Sequence, residues 1–119
     1  MRVLVVDDDH ALMAMVSTLL ESEGYAVKIA YNGVEALHYA SESPPDLVLL
    51  DLHMPVMDGW TCCRLLRQYR QTENIPIIVM SADGKRAAVH AELKVDHFLP
   101  KPFEIEDLLS CIVEYVGSR

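Results

Sequence analysis

Six side chains of this sequence could do chemistry together if the fold brings them to one place. Asp7, Asp8, Asp9, Asp51, Ser81 and Lys101 each come directly after a short apolar run. Two carboxylates ~4 Å apart repel by roughly 4 kcal/mol at an effective dielectric near 20, so neighbouring acids need a counter-charge, either a metal ion or protons. Oxygen-only donors select hard cations, and Mg²⁺ in particular, with Mn²⁺ as a substitute, binds through one or two carboxylates plus waters and phosphate oxygens. A carboxylate beside such an ion can act as a nucleophile toward phosphorus. Asp51 has the position for that role. A phosphoryl group in transfer carries spread negative charge, which leaves the Lys101 ammonium and the Ser81 hydroxyl as the compensating donors. A single acid at a loop end is commonly just solvated. The combination differs, because each residue type follows a different apolar run and each fits one role.

Those runs read as strands: Val3 to Val6, Ala26 to Ala30, Leu47 to Leu50, Ile77 to Met80 and His97 to Leu99. The first, third and fourth are apolar without alternation, as strands buried on both faces of a parallel sheet should be. Stretches with helical spacing lie between them. Leu12, Val16, Leu19 and Leu20 share a face of the first helix, which Gly24 terminates. Asn32-Gly33-Val34-Glu35 reads as a capping box opening the second, with Glu35 reaching back, and Pro44-Pro45 ends it. Ile105, Leu108, Leu109, Ile112, Val113 and Val116 form the stripe of the last helix. Strand and helix alternating five times predicts a doubly wound α/β fold, a five-stranded parallel sheet flanked by five helices. Ligands of such sheets sit at the carboxyl ends of the strands, where the six residues fall.

The 119 residues make one domain. The formal net charge of -8 argues against direct contact with nucleic acid, since that affinity rests on Lys and Arg neutralising phosphates. Cys62, Cys63 and Cys111 lack the spacing of a zinc site or a disulfide framework and read as reduced thiols. No apolar run approaches the roughly 20 residues of a membrane span, and Met1-Arg2 leads straight into a strand without a cleavable signal. The cytoplasm is the expected location, with no membrane partner.

The sequence resembles the response-regulator receiver domains of two-component signalling. The motifs that carry the likeness are Val-Val-Asp-Asp-Asp at 5–9, Asp-Leu-His-Met-Pro-Val-Met-Asp-Gly at 51–59, Ser-Ala at 81–82 and Pro-Lys-Pro-Phe at 100–103, and it spans Val3 to Val116. The resemblance implies the flavodoxin-like receiver fold, strand order 2-1-3-4-5, over residues 1–119. It implies that Asp7, Asp8, Asp51 and the backbone carbonyl of His53 hold Mg²⁺. It further implies that Asp51 takes a phosphoryl group from a phosphohistidine of a sensor histidine kinase or His-phosphotransfer protein, and that Ser81 and Lys101 bind the phosphoryl oxygens. A cis Lys101–Pro102 bond is typical of the family. In the family's switch the Ser81 hydroxyl swings to the phosphate and an aromatic, here Phe98, turns inward, altering the surface around the fourth helix, fifth strand and last helix for a downstream target the sequence does not identify. Without a hydroxyl, Phe98 reports by packing alone. By the same resemblance, kinase docking is expected over Leu12, Met15, Pro102 and Phe103, and His53 and Asp83 are expected to flank the path of the attacking water and tune phosphate lifetime. Such a domain acts on itself, with no external substrate.

Three departures from the family pattern stand out. Only twenty positions separate Ser81 from Lys101, fewer than usual, and Lys94-Val95-Asp96 replaces the common Ala-Gly-Ala. The last helix has acids but no Lys or Arg, which argues against the dimer of winged-helix transcription factors. Nothing of effector size follows the receiver motifs, so a stand-alone regulator and an excised domain both fit. Competing classes fare worse: a haloacid-dehalogenase-type enzyme expects an Asp where His53 stands, and a flavodoxin-like redox protein expects a hydroxyl-rich, glycine-containing phosphate loop where Asp7-Asp8-Asp9 stand. A receiver-like interaction module that works without phosphorylation is the alternative, though such modules usually lack one of the residues retained here.

Overall fold

The computed structural model describes residues 1–54, 56–81 and 95–116. Strands β1 (Arg2–Val6), β2 (Ala26–Ala30), β3 (Leu47–Asp51), β4 (Ile77–Ser81) and β5 (His97–Pro100) form one parallel sheet in the order β2-β1-β3-β4-β5. Helices α1 (His10–Ser22), α2 (Gly33–Glu42), α3 (Gly59–Gln68) and a C-terminal helix (Ile105–Val116) cover it. The expected helix between β4 and β5, with its shortened connection, lies outside the described residues.

The strand pattern follows from burial. Val3 to Val6, all of β3 and all of β4 are buried, so both sheet faces are covered and the sequences need not alternate. Edge strand β2 is more exposed on every second residue. One core packs Leu4, Val6, Val48, Leu50, Ile77 and Val79 against α2 and α3 through Ala36, Ala40, Cys62, Cys63 and Leu66. The other packs Val3, Val5, Leu47, Leu49, Ile78 and Met80 against α1 and the C-terminal helix through Met13, Val16, Leu20, Leu108 and Ile112. Burial of the three thiols raises all of them above the ordinary thiol range, Cys62 to about 12 and Cys63 to about 11, with Cys62 raised further by its neighbour Cys63.

Helix ends follow the expected chemistry. Gly24 (φ 93°) takes the left-handed turn that ends α1, its N–H donating to the Glu21 carbonyl at 3.0 Å while Tyr25 N–H reaches Leu20 at 3.1 Å. Asn32 caps α2 by accepting from Glu35 N–H at 2.9 Å. Glu35 reaches back to the N–H of Tyr31, one residue before the cap it was expected to contact.

Two sequence expectations need correction. In α1 the fully buried residues are Met13, Val16 and Leu20, while Leu12 and Leu19 are half-buried, because the face that meets the sheet is rotated from the one read off the leucines. In the C-terminal helix Ile105 and Val113 are 43% and 49% exposed, and Cys111 takes an inner position. The periodicity of large aliphatics gave no weight to the thiol, which is buried in the core beside Leu108 and Ile112.

The unusual Val95-Asp96 is built into the structure. Val95 is buried. The Asp96 carboxylate accepts from the Ile77 N–H at 2.8 Å and from Arg67 Nη2 at 3.2 Å, and Arg67 Nη1 donates to the carbonyls of Glu73 at 3.0 Å and Ile75 at 2.6 Å. The end of α3, the start of β4 and the start of β5 are thereby clasped together. Among the described residues no helix is long and apolar enough to cross a membrane.

Candidate functional site

Parallel pairing aligns the strand ends that carry the chemistry. Val6 lies beside Leu50, Asp51 beside Met80 and Ser81 beside Pro100, so Asp7, Asp51, Ser81 and Lys101 emerge along one edge. Backbone bonds extend the ladder past the strands: Asp7 N–H to the Ala30 carbonyl at 3.1 Å and Lys101 N–H to the Ser81 carbonyl at 2.9 Å. Asp51 and Ser81 close their strands rather than following them. The Lys101–Pro102 peptide bond is cis.

Lys101 supplies the counter-charge that the acids require. Its Nζ lies 2.5 Å from Asp7 Oδ2 and 3.5 Å from Asp51 Oδ1. Burial alone would lower the ammonium's pKa, but its hydrogen bond to Asp7 and the charges of Asp51 and Asp7 outweigh that and raise it. Asp51 is pushed up from an ordinary 3.8 to about 6, first by burial and then by the Asp7 charge, against the opposing pull of Lys101 and of the His53 backbone N–H that donates to it. One lysine does not fully compensate two buried carboxylates.

Oxygens of Asp7, Asp8 and Asp51 all lie within 4.8 Å of one another. Asp7 and Asp51 are buried and Asp8 is exposed. All-oxygen donors open to solvent on one side suit a hard cation that keeps several waters. Asp9 does not join them: its Oδ1 caps α1 by accepting from Leu12 N–H at 3.0 Å, and its own N–H donates to Asp7 Oδ1 at 3.0 Å. The row of three acids thus divides into a paired carboxylate, an exposed carboxylate and a helix cap whose N–H also binds the first.

Ser81 is buried at the same edge. Phe98 is buried in the core on the α2/α3 side, beside Val79 in the pairing of β5 with β4. His53 has an exposed side chain, and Asp83 lies outside the described residues. Of the proposed docking residues, Leu12 and Phe103 are half-buried against one core, whereas Met15 and Pro102 are exposed.

Sequence reasoning assigned no role to Gly59 or Trp60. A Cβ on Gly59 would stand 2.2 Å from the Asp51 carbonyl oxygen and 2.5 Å from the Leu52 Cα, and the Gly59 N–H donates to the Leu52 carbonyl at 2.9 Å. The first turn of α3, capped by Asp58, therefore presses directly on the peptide that carries Asp51. The Asp-Gly pair at 58–59 was the available signal. Trp60 joins Asp8, His53, Met54 and Asp58 around an open cleft of about 530 Å³. His10 and Tyr31 stack with ring centroids 4.1 Å apart, tying the start of α1 to the end of β2.

The sequence profile of the family described as "Response regulator receiver domain" matches residues 3–113. The chain belongs to this family. Response regulator MprA of Mycobacterium avium is 41% identical to the receiver over 112 residues, covering 92% of this chain and 48% of the relative. The DNA-binding dual master transcriptional regulator RpaA of Synechocystis is 36% identical over 114 residues, covering 92% and 46%. The receiver thus spans about half the length of these curated relatives. Among solved structures, the receiver domain of sensor histidine kinase PA1611 from Pseudomonas aeruginosa superposes with a TM-score of 0.89 at 26% identity, covering 98% of each chain, and that protein has a magnesium ion coordinated in its active-site cleft.

Proposed function

We propose that residues 1–119 form one receiver domain whose Asp51 accepts a phosphoryl group from a phosphohistidine of a sensor histidine kinase or His-phosphotransfer protein. One observation carries the reading: Lys101 Nζ sits 3.5 Å from Asp51, which shares an oxygen cluster with Asp7 and Asp8. Asp7, Asp8, Asp51 and the His53 carbonyl are the proposed Mg²⁺ ligands. When bound, the ion supplies the positive charge that lets a carboxylate and a phosphoryl group approach each other. An Asp51 oxygen forms the bond to phosphorus, the P–N bond breaks, and the imidazole leaves with the electron pair and takes a proton. Lys101, holding Asp7 with one N–H, has donors left for a phosphoryl oxygen. Ser81 supplies a hydroxyl.

The domain acts on its own aspartate, so the output is a change of surface. Repositioning Ser81 would open space toward Phe98 on the neighbouring strand, and the face around β5 and the C-terminal helix then regulates a downstream protein. Leu12 and Met15 on α1, with Pro102 and Phe103, are the proposed contacts for the phosphodonor. His53 and Asp83 set phosphate lifetime; unchanged decay in a double mutant would reject that assignment. The charge of -8 gives this segment no basis for holding nucleic acid itself.

Incubation with acetyl phosphate and Mg²⁺, followed by intact mass, tests the central step. Wild type should gain one phosphate and Asp51→Ala none. Equal labelling of both would overturn the assignment and favour an interaction module.

A further inference from the structure

The sheet has a second feature at its opposite, amino-terminal end. A cavity of about 370 Å³ lies between the β1–β2 edge and α2, lined by Leu4, Ala26, Tyr39 and Pro45 and by the cationic Arg2 and Lys28. That volume falls in the range of small-molecule sites, which are apolar with a few polar handles. The cavity is remote from Asp51, since Arg2 begins the strand that Asp7 follows.

Charge singles this cavity out. Arg2 and Lys28 are the only Lys or Arg in the first 63 residues of a chain with a net charge of -8, and both line it. Arg2 pairs in register with Ala26, and Lys28 stands two residues further on, opposite Leu4. Arg2, Leu4, Ala26 and Lys28 therefore share one sheet face. The two cationic side chains start roughly 8 Å apart, from the strand spacing and rise, close enough for long side chains to meet one anion. Arg2 bonds to the Ser43 hydroxyl, and the Lys28 ammonium lies 4.3 Å above the Tyr39 ring. Among the described residues neither forms an ion pair with a carboxylate. Glu42 also lines the cavity, its carboxylate 2.6 Å from His38 Nε2, and the Asp46 carboxylate accepts from the Arg2 backbone N–H at 2.7 Å.

An apolar cavity lined by two cationic side chains that form no ion pair among the described residues complements a molecule with an apolar body and one negative head. We propose that this cavity binds a small amphipathic carboxylate, its hydrocarbon or aromatic part against Leu4, Ala26, Tyr39 and Pro45 and its carboxylate between Arg2 and Lys28.

The test uses the full chain with Mg²⁺ present and 3-phenylpropionate as the probe, followed by ¹⁵N–¹H correlation spectra. Saturable shifts at the amides of Leu4, Ala26, Lys28 and Tyr39 are expected, with a Kd on the order of 1 mM for so small a ligand. The neutral amide, 3-phenylpropanamide, should bind about tenfold more weakly, and Lys28→Gln, an exposed substitution, should remove most of that difference. No saturation by about 10 mM, equal affinity of acid and amide, or shifts confined to the surroundings of Lys101 would each overturn the proposal. Labelling of Asp51 by acetyl phosphate should proceed alike in Lys28→Gln and wild type, which separates failure here from failure of the phosphoacceptor assignment.

Discussion

Replacing Asp51 by Asn should make the metal-free protein more stable. The folded state raises the Asp51 carboxyl from 3.8 to about 6. At about 1.4 kcal/mol for each tenfold change in proton affinity, that rise amounts to about 3 kcal/mol. The sign follows from proton binding. Between pH 4 and 6 the folded chain holds a proton at Asp51 that the unfolded chain has lost, so stability falls as pH rises through that window. Below it the penalty is absent, and above it the penalty is complete. Asn carries no charge, so its advantage should be near zero at pH 4 and reach about 1–3 kcal/mol at pH 8, reduced by the weaker contact with Lys101. For a chain of this size that corresponds to a Tm increase of about 4–12 °C. Thermal melts in EDTA at a series of pH values measure it. Magnesium should then narrow the gap: an ion at ten times its Kd stabilises wild type by about 1.4 kcal/mol, and the Asp51→Asn variant, lacking one charged ligand, should gain less. An Asn variant no more stable than wild type at pH 8 in EDTA, or an advantage independent of pH, would refute the claim that Asp51 is held uncompensated.

Lys101→Met should destabilise the metal-free protein by about 2–3 kcal/mol at pH 8, because it strands two buried carboxylates, and by less at pH 5, where Asp51 takes up a proton; urea titrations at both values check this. The same variant should lose at least tenfold in the rate of labelling by acetyl phosphate, read by mass. Gly59→Ala drives a methyl into the Asp51 peptide and should cost about 3 kcal/mol or more while weakening Mg²⁺ affinity, measurable by calorimetry. Arg67→Met should cost about 1–3 kcal/mol through the lost clasp on Asp96 and the loop carbonyls, yet leave the labelling rate of the folded fraction unchanged.

The parts of the fold that sequence made readable are those where one residue type answers one physical demand. Unbroken apolar runs marked β1, β3 and β4 because both faces of those strands are covered, and Gly24 marked the end of α1 because the turn there is left-handed. The site residues were readable because a parallel sheet delivers every strand's carboxyl end to one edge. What stayed hidden depended on neighbours that no local pattern encodes. Nothing in the row Asp7-Asp8-Asp9 marks the third acid as the one whose carboxylate caps α1. Cys111 is buried where Ile105 and Val113 are not, because the face of the helix that meets the sheet is set by the packing of the whole fold. The role of Asp96 arises from Arg67, 29 positions away.

The bond between Lys101 and Asp7 joins residues 94 positions apart. During synthesis all the acids therefore emerge well before the lysine that holds them. Until the fifth strand docks, a nascent chain has the proposed phosphoacceptor but lacks both the ammonium and the paired edge beside it. With Asp51 as the proposed phosphoacceptor, competence would be a property of the finished fold, and a prematurely terminated product ending before Lys101 should be unable to siphon phosphate away from intact copies.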